Sequence, residues 1–68
     1  MEKIKMGSLC YTKYDKKFEY HNNENIIKKG TIVLVCDVFA SKGYALVEIE
    51  DYDTVFDYKI DDLLLIKN

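Results

Sequence analysis

The chain has no arginine, no proline and no tryptophan, and only one histidine, two cysteines and three glycines among its 68 residues. Each shortage narrows what it can do. Arginine supplies the bidentate fork that reads guanine edges and clamps phosphates, and the ten lysines here are point charges that substitute poorly for it. Sequence-specific recognition of duplex DNA is therefore not expected. A single histidine, His21, with no serine partner and no glycine-rich phosphate loop, leaves no nucleophilic or phosphoryl-transfer constellation. No catalytic residue is assigned, and the chain is not expected to be an enzyme.

The cysteines, Cys10 and Cys36, are far apart, lie within apolar runs and lack C-x-x-C spacing. They are expected to be reduced thiols packed as small hydrophobes. Zinc would need two further good ligands, and His21 is the one histidine on offer. Asp51-Tyr52-Asp53-Thr54-Val55 breaks the calcium-loop pattern at its third ligand and lacks the glycine. Neither a metal nor any other cofactor is expected.

No apolar run approaches the roughly 18–20 residues of a membrane span. The opening MEKIKMGSLC has lysines but no apolar segment of the secretory type. A cytoplasmic protein without membrane contact is the expectation. The bias toward Lys, Asn, Ile, Tyr and Asp suits an AT-rich genome, such as that of a low-GC bacterium or one of its phages.

What is present is a folded composition, 49% hydrophobic and 32% charged, in a length that makes one small domain, taken as 1–68. Charge is unevenly spread. Residues 1–43 carry a balance of +3 and residues 44–68 a balance of −5, for the net −2. A dipolar surface follows, which steers partners rather than folding the chain.

The dominant period is two. TIVLVCDVF (31–39) is apolar in both alternating sets, Ile32/Leu34/Cys36/Val38 and Val33/Val35/Phe39, the pattern of a strand covered on both sides. After the short loop Ser41-Lys42-Gly43, YALVEIE (44–50) alternates. Ala45, Val47 and Ile49 face one way; Tyr44, Leu46, Glu48 and Glu50 face the other. Asp51 to Thr54 form a turn, and VFDYKI (55–60) sets Phe56, Tyr58 and Ile60 against Val55, Asp57 and Lys59. Asp61-Asp62 predict one helical turn before Leu63, with a brief closing strand over Leu64–Ile66. Upstream, 8–12 and 18–21 read as short strands and Asn22 to Asn25 as a loop. Five or six short strands with turns every 8–12 residues indicate an all-β fold, a small barrel spanning about 7–66.

The order of these features resembles a Src-homology-3-like barrel. It is carried by the opening strand Ser8-Leu9-Cys10-Tyr11, a long polar hairpin (13–27), and Lys28-Lys29-Gly30-Thr31 before a hydrophobic strand. The hairpin at 44–60 and the turn Ile60-Asp61-Asp62-Leu63-Leu64 complete it. The resemblance implies a non-catalytic binding module. Signalling members hold proline-rich ligands with a tryptophan and a proline that are lacking here. Tyr44 stands near the tryptophan position, Asp61-Asp62 replaces the proline turn, and Tyr11 and Tyr14 remain for an aromatic groove.

Two surfaces carry the functional expectation. The first is an acidic and aromatic face: Tyr44, Leu46, Glu48, Glu50, Tyr52, Asp53 and Asp57, within a stretch of seven carboxylates between Glu48 and Asp62. The plain alternative is the wet side of a hairpin, but like charges across strands destabilise, and tyrosine beside an acidic rim suits a protein partner with a basic surface. The second is a lysine–tyrosine hairpin, Tyr11, Lys13, Tyr14, Lys16, Lys17, Lys28 and Lys29, suited to stacking and neutralising single-stranded RNA or DNA. The leading expectation is a protein–protein interaction module, and the composition suits a phage-encoded one directed at a host protein. Nucleic-acid binding is the alternative. Pairing of two copies through an exposed strand edge, giving a homodimer, is a third reading.

Overall fold

The computed structural model describes residues 3–68; Met1 and Glu2, and with them the start of the stretch read for targeting, lie outside the described residues. The chain is all-β. Seven strands follow in order: β1 (Leu9–Thr12), β2 (Lys16–Tyr20), β3 (Asn23–Ile27), β4 (Ile32–Phe39), β5 (Tyr44–Glu48), β6 (Val55–Lys59) and β7 (Leu63–Lys67). Two single 3-10 turns, Ala40–Lys42 and Ile60–Asp62, precede β5 and β7. Five strands form one sheet in the order β6-β5-β4-β1-β7, and β2 and β3 pair separately as a hairpin.

The expected closed barrel is not observed. β6 and β7 are consecutive strands of the sheet, but the 3-10 turn between them carries the chain across, and they end the sheet on opposite sides without pairing. The strands number seven rather than five or six because 23–27, expected to begin as loop, is a strand. The hairpin closes through His21 and Asn22, with φ of 51° and 64°, between the paired residues Tyr20 and Asn23. Two central residues with positive φ match the twist of the flanking strands, and asparagine tolerates that conformation better than most.

The alternation in β5 and β6 holds. Ala45, Val47, Ile49, Phe56 and Tyr58 are buried, while Val55, Asp57 and Lys59 are exposed. Cys10, Ile27, Val33, Val35 and Leu63 complete the core, with Ile4, Phe18, Val38, Tyr52, Ile60 and Leu65 packed against it. Burying aliphatic side chains of this size stabilises by about 1.5–3 kcal/mol each before ordering costs.

β4 departs from expectation in two ways. It is covered on one side only: Val33 and Val35 are buried, whereas Ile32 and Leu34 stay exposed. Among the described residues no second layer lies over that face. A bulge between Val35 and Asp37 then shifts the register, so that Leu34 pairs with Glu48 but Asp37, not Cys36, pairs with Leu46. The extra residue separates Val38 from the set of Ile32 and Leu34 and points it to the core side opposite Ala45.

Two buried hydroxyls anchor the ends of β1. Thr12 Oγ1 donates to the Lys28 carbonyl at 3.0 Å and accepts from the Thr31 amide at 3.1 Å. The Gly30 amide donates to the Thr12 carbonyl at 2.8 Å, and the Lys29 amide donates to Asp15 Oδ1 at 2.8 Å. These bonds hold the Lys28–Gly30 turn against the start of the sheet. At the other end Ser8 Oγ accepts from the Lys5 amide and donates to Asn68 Oδ1.

Candidate functional site

The register lays the outward side chains of the sheet in rows. One row runs Val55, Glu48, Leu34, Leu9 across β6, β5, β4 and β1. The next runs Ile32, Tyr11, Leu64 across β4, β1 and β7. The outer face of β4, β1 and β7 is therefore apolar. Ile32 and Leu64 are each 55% exposed, Ile66 is 42%, Tyr11 is 40% and Leu34 is 39%. Antiparallel sheets with one solvated face normally make it polar, so this apolar centre is the most unusual feature of the surface. Sequence reasoning missed it because β4 was expected to be covered on both sides.

Glu48, Glu50 and Asp53 rim one cleft on this face, with Leu9, Ile32 and Leu34 along its floor and wall. On the other side Tyr11, Lys13, Tyr14 and Lys29 border a second, largely apolar groove with Leu64. Part of each set thus borders this face, the carboxylates beside the end of β5 and the lysines at the ends of β1 and β4.

Of the remaining acidic-face residues Tyr52 also lines the acid-rimmed cleft, and the other three lie elsewhere. Tyr44, Leu46 and Asp57 line a third cleft beside Tyr14, Asp15 and Tyr58, and Val55 lies between this cleft and the acid-rimmed one. Tyr44 stacks on Phe39 with ring centres 4.9 Å apart and is half-buried. Tyr52 is half-buried too, in an aromatic cluster with Phe18 at 5.1 Å, Tyr20 at 4.9 Å and Phe56 at 5.7 Å. The Asp53 amide donates to the Tyr20 hydroxyl at 3.4 Å, fixing the turn over the β2–β3 hairpin.

The lysine set also divides. Lys13 and Lys29 reach the groove, but Lys16 does not: its ammonium donates to the Asp57 carbonyl at 2.9 Å and sits over the Tyr58 ring. Lys17 lies on β2 opposite Ile26, and Lys28 is exposed in the turn, its carbonyl taken by Thr12.

Few groups have a shifted acidity. Burial, then the charge of Asp62, pushes Tyr58 up to about 12, and among the described residues its hydroxyl is buried without a hydrogen-bond partner. Burial raises the Cys10 thiol, and burial followed by the Glu48 carboxylate raises Cys36. Both cysteines are free; Cys10 is buried and Cys36 half-buried. Among the described residues no cluster of three His, Cys, Asp or Glu side chains could hold a metal ion, and no helix is long and apolar enough to cross a membrane.

Compared with protein-family models, curated proteins and solved structures, the chain finds no match in any of the three.

Proposed function

We propose that the chain is a Src-homology-3-like interaction module that binds a protein with a basic surface through the strip Glu48, Glu50 and Asp53. The likeness is supported by the strand order β6-β5-β4-β1-β7, by the hairpin inserted between β1 and β4, and by the single turn before the last strand. The observation that carries the binding reading is the acid-rimmed cleft itself. Its carboxylates border exposed Ile32, Leu34 and Val55, so an aliphatic-bearing cation, a lysine or arginine side chain, meets charge and apolar surface together. Tyr44, Leu46 and Asp57, in the neighbouring cleft, extend the contact across Val55.

The test is affinity capture from lysate with the wild-type domain and with Glu50→Lys/Asp53→Lys. The reading expects captured partners to be lost from the variant while its circular dichroism stays unchanged. Retention of every partner by the folded variant leaves the strip a solvated rim and ends the reading.

Nucleic-acid binding is the second reading, supported by the convergence of Tyr11, Lys13, Tyr14 and Lys29 on one groove. It has less behind it, since Lys16 is held against Asp57 and Tyr58 on another side. Oligonucleotide titration at low salt decides: affinity that falls steeply with salt and is lost in Lys13→Glu/Lys29→Glu supports it.

A further inference from the structure

We infer that the open edge of β7 takes a second copy of the chain, with the two β7 strands antiparallel and a twofold axis normal to the sheet at Leu64.

The main chain decides which residues can bond across that edge. β7 ends the sheet on its side, and among the described residues no main-chain hydrogen bond outside the β1–β7 ladder reaches Leu63–Lys67. The Lys13 amide donates to the Asp62 carbonyl at 2.9 Å, so that carbonyl points toward β1. A trans peptide turns the Leu63 amide the other way, and the period of the strand turns the Leu65 amide with it. Leu63 and Leu65 therefore offer amides and carbonyls to the free edge, while Leu64, paired with Tyr11, directs its own to β1. A bulge at Ile66 closes this regular stretch, since Leu9 pairs with Lys67 where unbroken register would give Ile66.

Outward main-chain groups must meet outward main-chain groups, and this selects the register. Leu63 of each copy lies opposite Leu65 of the other, both pairs exchanging amide and carbonyl bonds around a central Leu64–Leu64 contact. Other registers of the same parity run Leu63 onto the bulge or Leu65 onto the Ile60–Asp62 turn. Leu64, exposed in the single chain, gains an apolar neighbour on the axis.

Charge favours the same alignment. Asp61 and Asp62 precede β7, and Lys67 ends it. Antiparallel pairing brings the exposed Lys67 of each copy level with the exposed Asp61 of the other. Parallel pairing sets acid beside acid and lysine beside lysine, so the edge is self-complementary in one direction only. The other edges are less suited. On β6 the Lys16 ammonium takes the Asp57 carbonyl, and β3 presents Asn23, Glu24 and Asn25 where β7 presents a run of leucine. The acid-rimmed cleft, toward β5 and β6, stays open in both copies, and nothing in this pairing depends on what that cleft binds.

Sedimentation velocity from about 10 µM to 1 mM, with quenched hydrogen exchange at both ends of the range, tests this. The wild type is expected to dimerise. In the dimer the Leu63 and Leu65 amides should gain roughly tenfold protection or more, and the Leu64 amide, already bonded to Tyr11, should gain less. Lys67→Glu is expected to weaken association about fivefold, and the swap Asp61→Lys/Lys67→Glu to restore it. Backbone N-methylation of Leu65 removes a donor that the single chain does not use, and is expected to abolish association with the circular dichroism unchanged. Leu64→Lys, which sets like charges on the axis at a position that folding leaves exposed, is expected to do the same. A wild type monomeric throughout the range overturns the inference. So does a dimer whose Leu63 and Leu65 amides exchange as freely as in the monomer, or one that survives both N-methylation and Leu64→Lys, since each places the contact elsewhere.

Discussion

The Lys16 ammonium lies 4.9 Å from the centre of the Tyr58 ring while donating at 2.9 Å to the neighbouring Asp57 carbonyl. One side chain thus ties the base of the β2–β3 hairpin to the outermost strand of the sheet. It also occupies a main-chain acceptor on an edge that would otherwise invite pairing. Lys16→Met keeps the aliphatic stem but loses the charge, and a loss of about 0.5–1 kcal/mol is expected in urea unfolding. Lys16→Arg, which retains both contacts, is expected to stay near wild type.

Tyr58 carries a hydroxyl that is buried and unpartnered among the described residues. Leaving such a group unmade costs about 1–3 kcal/mol, so Tyr58→Phe is expected to be neutral or stabilising by about 1 kcal/mol. Its acidity gives an independent readout. The phenol ionises near 12 in the folded protein and near 10 when unfolded. A raised folded value contributes stability that is complete below pH 10 and disappears as pH climbs from 10 toward 12. Denaturation midpoints measured across that window should decline in the wild type and decline less in Tyr58→Phe.

Phe18 meets Phe56 at 4.9 Å and Tyr52 at 5.1 Å, both edge to face. Phe18 on β2 and Ile27 on β3 are what the β2–β3 hairpin presents to the core. Phe18→Ala is expected to destabilise by about 2 kcal/mol, less than a fully buried phenylalanine because Phe18 is half-buried. Hydrogen exchange should locate the loss, with β2 and β3 amides losing protection ahead of those of β4 and β5. Uniform loss over all strands rules out a separately docked hairpin.

Thiol chemistry distinguishes the two cysteines. Both are held above the ordinary thiol range, so thiolate-specific reagents at pH 8 should label each more slowly than a free cysteine. For Cys36 part of the cause is the Glu48 carboxylate, and Glu48→Gln should accelerate its labelling. Cys10, buried between β4 and β7, should react only as the fold opens. Rapid labelling of Cys10 in the native state contradicts the packing described.

Residues differ in how far their sequence reveals their place. The β5–β6 hairpin was legible because alternation is strict there: Ala45 and Val47 against Leu46 and Glu48, Phe56 and Tyr58 against Asp57 and Lys59. The turn at Ile60–Asp62 was legible too, although neither carboxylate caps it. The His21-Asn22 turn was not, since neither residue is the glycine that usually marks positive φ in a two-residue hairpin. Nor was the exposure of Ile32 and Leu34. Apolar composition says that a side chain prefers cover, not that the chain contains another layer to provide it. The bulge at Cys36 leaves no signature in a run where both alternating sets are apolar.

That bulge makes β4 one residue longer than its pairing with β5 needs. Counting along the strand, the surplus resets which parity faces inward. Val33 and Val35 serve the core before it, Val38 after it, and Asp37 remains in water. Excising Cys36 restores strict alternation and leaves the pairs as they stand, Asp37 outward opposite Leu46 and Val38 inward opposite Ala45. Keeping Cys36 but flattening the bulge instead carries the Asp37 carboxylate inward and turns Val38 out. Deletion of Cys36 is therefore expected to keep the fold, whereas pairing every residue of β4 in unbroken register is not.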